Sequence, residues 1–227
     1  MSIAYSAVSS KGVGAGAISF AHTIAAAKQQ RMLIAFLGTH GSAAANLSPT
    51  GIQYNGVAMT NLNVALAWNK TSNFYQLDAW YMLEANLPAA GAYNITGNTG
   101  SNAYSDQIIA ISLTGCKQQA PTYVTNTSVV AASTISTSGL TFRSTDWLVD
   151  SGFFWPPSAS TYTPGTGQVF RKEQASDRYN EVSTLPYGAA GTSWTEDQNW
   201  NSAGLLTLDL EQYPEYGSAL MMALARQ

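Results

Sequence analysis

The sequence predicts an all-β, jelly-roll-like antiparallel β-sandwich with long loops in its C-terminal half, and three observations carry the prediction. Short runs of β-branched and aromatic residues recur along the whole chain, broken at Gly, Pro, Asn and Ser. Several of these runs alternate with period two, the spacing of a strand with one buried face. No stretch sustains a helical period. The best helical candidate, "HTIAAAKQQRML", opens on β-branched residues and runs into "RMLIAFLG", so it reads as strand, turn and strand, with one helical turn near 24–30.

In order, strands are expected near 3–8, 16–24, 31–39, 51–54 with 57–67, 74–85, 91–97, 104–115, 133–142, 146–154, 167–173, 178–184, 205–211 and 217–225. "RMLIAFLGTH" and "DQIIAISLTG" are continuously apolar, the pattern of central strands buried on both faces. "YQLDAWYMLE" sets Leu77, Ala79, Tyr81 and Leu83 on one face and Asp78, Trp80, Met82 and Glu84 on the other. Pro88 and Gly91 then mark a turn before a return strand. The Pro-, Thr- and Gln-rich stretch 117–132 reads as a long crossing connection. Residues 156–167 and 185–204 read as long loops with exposed aromatics, and loops of that length tend to carry function. No short-period repeat is present. The expectation is a single domain over 1–227 with a pseudo-boundary at 117–132.

Composition narrows the function. Hydrophobic residues make up 45% of the 227, so a core can form. Charged residues make up only 10%, against about 25% in an average soluble domain. A surface of Ser, Thr, Asn and Gln suits repeated protein contacts or neutral sugars, because no charge has to be desolvated. The net charge of −3 and the lack of any basic cluster beyond "KQQR" argue against nucleic acid. The single Cys116 excludes an internal disulfide and a Cys-rich zinc site. The N-terminus shows no basic and apolar secretory signal, and no apolar run has the length of a membrane span.

The succession "ISFAHTI", "RMLIAFLGTH", "IQYNGVAMT", "QLDAWYMLEANLPAAGAYNITG" and "DQIIAISLTGC" resembles a β-sandwich module of bacteriophage virion proteins and bacterial surface proteins. The resemblance covers residues 16 to 116 and continues more loosely through "FRSTDWLVDSGFF" and "GSALMMALAR". Its landmarks are structural, so it implies a fold and a setting and no catalytic residues. With no signal and little charge, the phage setting fits this chain better than the secreted one.

Candidate chemistries are few. Asp78 and Glu84, six residues apart on one strand, would lie roughly 20 Å apart at the strand rise. A glycosidase needs its two carboxylates within about 10 Å. His22 and His40 fall on neighbouring predicted strands, but no H-x-E or H-E-x-x-H spacing supplies a third zinc ligand. No catalytic residue, cofactor or metal is expected. Attention falls instead on Trp155, Tyr162, Trp194 and Trp200, in or beside the long second-half loops. They would be buried caps, interface anchors or stacking platforms for a glycan. Arg171 and Arg178 sit in the charge-dense "VFRKEQASDRYNEV", expected at the surface as a protected edge or a subunit contact. The function expected is a non-enzymatic virion structural protein, a capsid decoration, minor capsid or tail-associated component binding other virion proteins and itself as a homo-oligomer. The other reading is a carbohydrate-binding or host-adhesion module that takes a host surface glycan.

Overall fold

The computed structural model describes residues 2–214 apart from 15, 27–28, 43–50, 65, 99–102, 131, 142, 157–159, 176–177 and 187–190. The described chain is all-β, with one 3-10 turn at Glu84–Asn86. The strands are β1 (Ala4–Val13), β2 (Ala17–Ile24), β3 (Met32–Gly41), β4 (Ile52–Tyr54), β5 (Val57–Ala58), β6 (Thr60–Asn61), β7 (Leu66–Lys70), β8 (Asn73–Leu83), β9 (Gly91–Asn98) and β10 (Ala103–Thr114) in the first half. The second half holds β11 (Thr122–Ser128), β12 (Ala132–Ser136), β13 (Trp147–Trp155), β14 (Tyr162–Pro164), β15 (Val169–Ala175), β16 (Tyr179–Pro186), β17 (Ser193–Trp200) and β18 (Ser202–Leu210).

These strands make two sandwiches stacked face to face. The first has an inner sheet ordered β1-β10-β3-β8-β6, with β7 also on β8, and an outer sheet ordered β2-β9-β4-β5. The second has an inner sheet ordered β11-β18-β13-β16-β15 and an outer sheet ordered β12-β17-β14. Every pairing among the described strands is antiparallel. The two orders coincide when β1, β2, β3, β4, β7, β8, β9 and β10 are matched to β11, β12, β13, β14, β15, β16, β17 and β18. Each half is therefore one jelly-roll circuit, and the division falls between Thr114 and Thr122.

Sequence period and layer order agree. In β3 every residue is buried because the strand is central in a sheet covered on both sides. Ile34 and Phe36 join Ile109, Ile111, Val149, Phe153, Leu206 and Leu208 in the core between the two inner sheets. Leu33, Ala35 and Leu37 point the other way, onto Ile18, Ile52, Tyr54 and Ile95 of the first outer sheet. β8 divides likewise: Leu77 and Ala79 face the other sandwich, while Trp80 and Met82 face the outer sheet. A smaller core of Ile135, Phe154, Tyr162, Trp194, Ala203 and Leu205 fills the second sandwich. Between inner sheets the approach is close enough to require glycine. A Cβ on Gly38 would stand 2.5 Å from the Phe153 ring, and one on Gly204 2.3 Å from Trp68.

Local chemistry sets the ends. Asn55 and Gly56 both take positive φ, 52° and 75°, the two-residue hairpin turn that joins β4 to β5 and matches strand twist. Arg31, just before β3, donates from its backbone N and Nε to the two carboxylate oxygens of Glu84 at 2.6 and 2.7 Å. That clamp fixes the ends of β3 and β8 in register, with Met32 opposite Leu83.

Three sequence expectations change. The connection at 117–132 contains β11, which lies at a sheet edge with little burial and so shows no apolar face. The loops at 156–167 and 185–204 contain β14, β17 and the start of β18. β17, "SWTEDQNW", is poor in β-formers and is held by pairing to β12 and β14. The strand expected at 217–225 lies outside the described residues.

Candidate functional site

The loop aromatics of the sequence turn inward. Trp194, on β17, is fully buried, and its Nε1 donates to Asp150 Oδ1 at 3.1 Å. Tyr162, on β14, is 7% exposed, stacks on Phe154 at 4.5 Å and donates to Glu196 Oε1 at 3.3 Å. Trp155, at the end of β13, is half-buried, with the Arg178 guanidinium 4.7 Å over its ring and Tyr75 at 5.7 Å. Of the three roles open to the loop aromatics, Trp194 and Tyr162 take that of buried caps, and the expectation that they are exposed is corrected. Their hydroxyl and indole N–H find acceptors inside the second sandwich, which is what a buried Tyr or Trp requires. Trp200 ends β17, and its side chain lies outside the described residues.

Arg178 is corrected in the same direction, whereas Arg171 keeps its place on an edge strand. Only β15 of the charged hairpin is a surface strand. β16 is sandwiched between β13 and β15, so Asn180, Glu181 and Val182 are buried. Arg171 packs its guanidinium 4.2 Å from the Tyr5 ring of β1 and donates from Nε to Thr184 Oγ1 at 2.8 Å. Ser10 of β1 donates to Gln174 of β15 at 2.9 Å. These contacts seal β1 onto β15 along one side of the seam between the sandwiches.

Arg178, 8% exposed, belongs to a polar group at one end of the same seam. His40 Nε2 lies 3.1 Å from Arg178 Nη2 and 3.1 Å from Asn73 Oδ1, and the His40 ring stacks on Tyr75 at 5.0 Å. Gln107 Nε2 donates to the Arg178 carbonyl at 2.8 Å, Asn180 Nδ2 returns a bond to the Gln107 carbonyl at 3.1 Å, and Ser151 Oγ donates to Asn180 Oδ1 at 2.7 Å. The group cross-links the inner sheets where apolar packing ends. Its signal in the sequence is the polar residue at the end of an apolar run: Thr39 and His40 after "RMLIAFLG", Asp106 and Gln107 before "IIAISL". His22 is elsewhere, in the first outer sheet, with Nδ1 2.8 Å from Ser9 Oγ. Burial lowers its pKa to about 4, so it stays neutral.

The acidic residues of the second sandwich form its electrostatic feature. Asp150 also accepts from Gln168 Nε2 at 2.8 Å and from Ser183 Oγ at 3.0 Å. Its burial nevertheless raises its pKa to about 6. Glu181 is 1% exposed, and no basic group pairs with it among the described residues. Burial first, and then the charge of Glu173 opposite it in register, push its pKa up to about 9. A neutral carboxyl of this kind can serve as a general acid, but Glu181 is itself closed off from solvent, as are Tyr162 and Glu196 of the outer sheet that faces it. Among the described residues, no group of three or more His, Cys, Asp or Glu is placed to hold a metal ion.

A cavity of about 630 Å³ opens at the end of the first sandwich where Ile18, Ile52, Met59, Trp80 and Gly97 meet Ser19, Gln53 and Asn61. Among the described residues, no titratable side chain lines it. The outward face of the adjoining sheet presents Ala17, Ser19, Ala21 and Thr23 on β2, Ala92 and Asn94 on β9, and Gln53 on β4, all exposed and all uncharged. No described helix is long and apolar enough to cross a membrane. No protein-family model matches the chain, and no curated protein matches it either.

Proposed function

We propose that this chain is a non-enzymatic bacteriophage virion structural protein, a capsid decoration, minor capsid or tail-associated component that works by binding other virion proteins and copies of itself. The observation that supports this most directly is where the charge lies. The first outer sheet turns an uncharged face of small side chains outward, while Asp150, Glu181, Glu196 and Arg178 are buried. A surface of that kind is covered by a neighbour without desolvating ions, and two sandwiches locked by a shared core present it rigidly. Made in the host cytoplasm, the chain would end in the particle. The glycan-adhesion reading, which used Trp155, Trp194 and Trp200 as platforms, loses Trp194, whose ring is fully buried. Mass spectrometry and cryo-EM of particles from the encoding phage test the proposal. A fixed copy number on symmetric positions is expected, and absence of the chain from purified particles overturns it.

A further inference from the structure

Resting on the assembly reading, we propose that β11 is a self-association edge: two copies pair β11 to β11 in antiparallel fashion about Thr125, joining their second inner sheets into one continuous sheet. The matched strand orders identify the place. In the stacked sandwiches β1 lies against β15, β10 against β16 and β8 against β18, so a symmetric stack would set β7 against β11 as β1 is set against β15. It does not. β7 is drawn onto β18 instead, with Trp68 over Gly204 and Lys70 Nζ bonded to the Asn201 carbonyl. β11 is left overhanging the first sandwich. Tyr123, Thr125 and Thr127 point to the side on which Leu206 and Leu208 are buried, yet all three are exposed.

Within its sheet, and among the described residues, β11 pairs only with β18. Among the described residues no strand pairs on its other edge, although β12 lies beside it with Asn126 Nδ2 donating to the Ser136 carbonyl at 2.7 Å, so its backbone donors and acceptors there can take a further strand. Sheets protect such edges with charge, proline or bulges. The opposite edge of the same sheet has two of these devices: β15 carries Arg171, Lys172 and Glu173, and its register shifts between Phe170 and Lys172. β11, "TYVTNTS", has none of them, and its seven residues run in unbroken register with β18. Exposed Val129 and Val130 follow it directly.

A second copy is the occupant that fits. Pairing about Thr125 opposes Val124 to Asn126 and Tyr123 to Thr127, so all seven residues are used and no like charges meet. A partner selected by charge would find nothing here to read.

The test uses the full-length protein with Thr125→Cys. Across an antiparallel pair the opposed Cα atoms stand about 4.5–5.5 Å apart, within disulfide reach, while the native Cys116 is buried. Mild oxidation is expected to give a covalent dimer in most of the protein. Thr127→Cys alone, with its two copies displaced by about 13 Å along the strand, gives little, but mixed with Tyr123→Cys it cross-links. Thr125→Lys, which sets two ammonium groups face to face, is expected to shift the chain to monomer in light scattering without altering its circular dichroism.

A wild-type monomer overturns the proposal. So does a Thr125→Cys variant whose new thiol resists alkylation in a monomer, which places another segment of the same chain on the edge, or one that cross-links in particles only to a different protein. A chain present in particles without the disulfide-linked Thr125→Cys dimer leaves the virion reading standing and removes this one. Formation of that dimer by a chain absent from particles does the reverse.

Discussion

Replacing Glu181 by Gln is expected to stabilise the protein at neutral and alkaline pH and to leave it unchanged in acid. The carboxyl is 1% exposed, and burial, with the Glu173 carboxylate beside it, raises its pKa from an ordinary 4.5 to about 9. A carboxyl whose folded pKa is raised binds its proton more tightly in the native state. Its contribution is therefore fully present below about pH 4.5 and is lost as pH rises toward 9. At pH 7 the unfolded chain gains from ionising this group over about 2.5 pH units, which at about 1.36 kcal/mol per unit is about 3 kcal/mol. Glutamine is nearly the same shape, offers an amide N–H toward Glu173 where the protonated carboxyl offers its O–H, and cannot ionise, so Glu181→Gln recovers that amount. For a chain of this size about 3 kcal/mol corresponds to a rise in Tm of roughly 6–12 °C. Thermal unfolding followed by circular dichroism at steps from about pH 4.5 to 9 reads it directly. The variant and wild-type curves should coincide at the acid end and diverge steadily above it. Parallel curves, or a variant less stable than wild type in mild alkali, would refute the reasoning. Glu173→Gln, which removes the opposing charge, should flatten the wild-type slope in part.

Three further outcomes follow from the same packing. Asp150→Ala leaves Trp194 Nε1 without its acceptor and Gln168 Nε2 with Ser183 Oγ alone and should cost about 2–3 kcal/mol in urea unfolding. Gly38→Ala drives a Cβ into the rigid Phe153 ring in the seam, and a loss of about 1–3 kcal/mol in the same assay is expected. Arg171→Ala unseats the Tyr5 ring, and backbone hydrogen exchange should rise in β1 and β15 ahead of the rest of the protein.

How much of this was legible in the sequence differs between strands for one physical reason. Strands with a two-sided or alternating apolar code were readable: β3 as a central strand and β8 as two opposed faces, both matching the cores they join. β11, β14 and β17 were not, because pairing alone holds them in extended form. A seven-residue run of Thr, Tyr, Val, Asn and Ser with almost no burial has the composition of a loop. The aromatic residues misled for a related reason. Trp194 follows "GAAGTS" and precedes "TEDQ", a polar setting that hides one inward residue of a short outer strand. Glu181 and Arg178 looked exposed because they are charged, but a charge is placed by sheet order, which no local window contains.

Sheet order also accounts for the low charge. Two jelly-roll circuits stacked on their inner sheets give four layers, so both inner sheets are covered on both faces and their strands admit few ions. The charges that remain inside are consequently held by specific partners, as Asp150 is by Trp194 and Gln168, or stay protonated, as Glu181 does. Had the two halves been identical, both sides of the seam would close alike, with β7 on β11 as β15 is on β1. The difference shows in two contacts. Trp68 needs the bare backbone of Gly204 and pulls β7 inward, whereas Tyr5 meets Arg171, which spans the gap and closes it. Filling Gly204 with a side chain should therefore expel Trp68 and loosen β7 while leaving the β1–β15 side intact. Indole fluorescence of Gly204→Ala, red-shifted at unchanged β1 hydrogen exchange, is the expected result. Simultaneous loosening of both sides would mean that the seam closes as one unit and that the asymmetry has another origin.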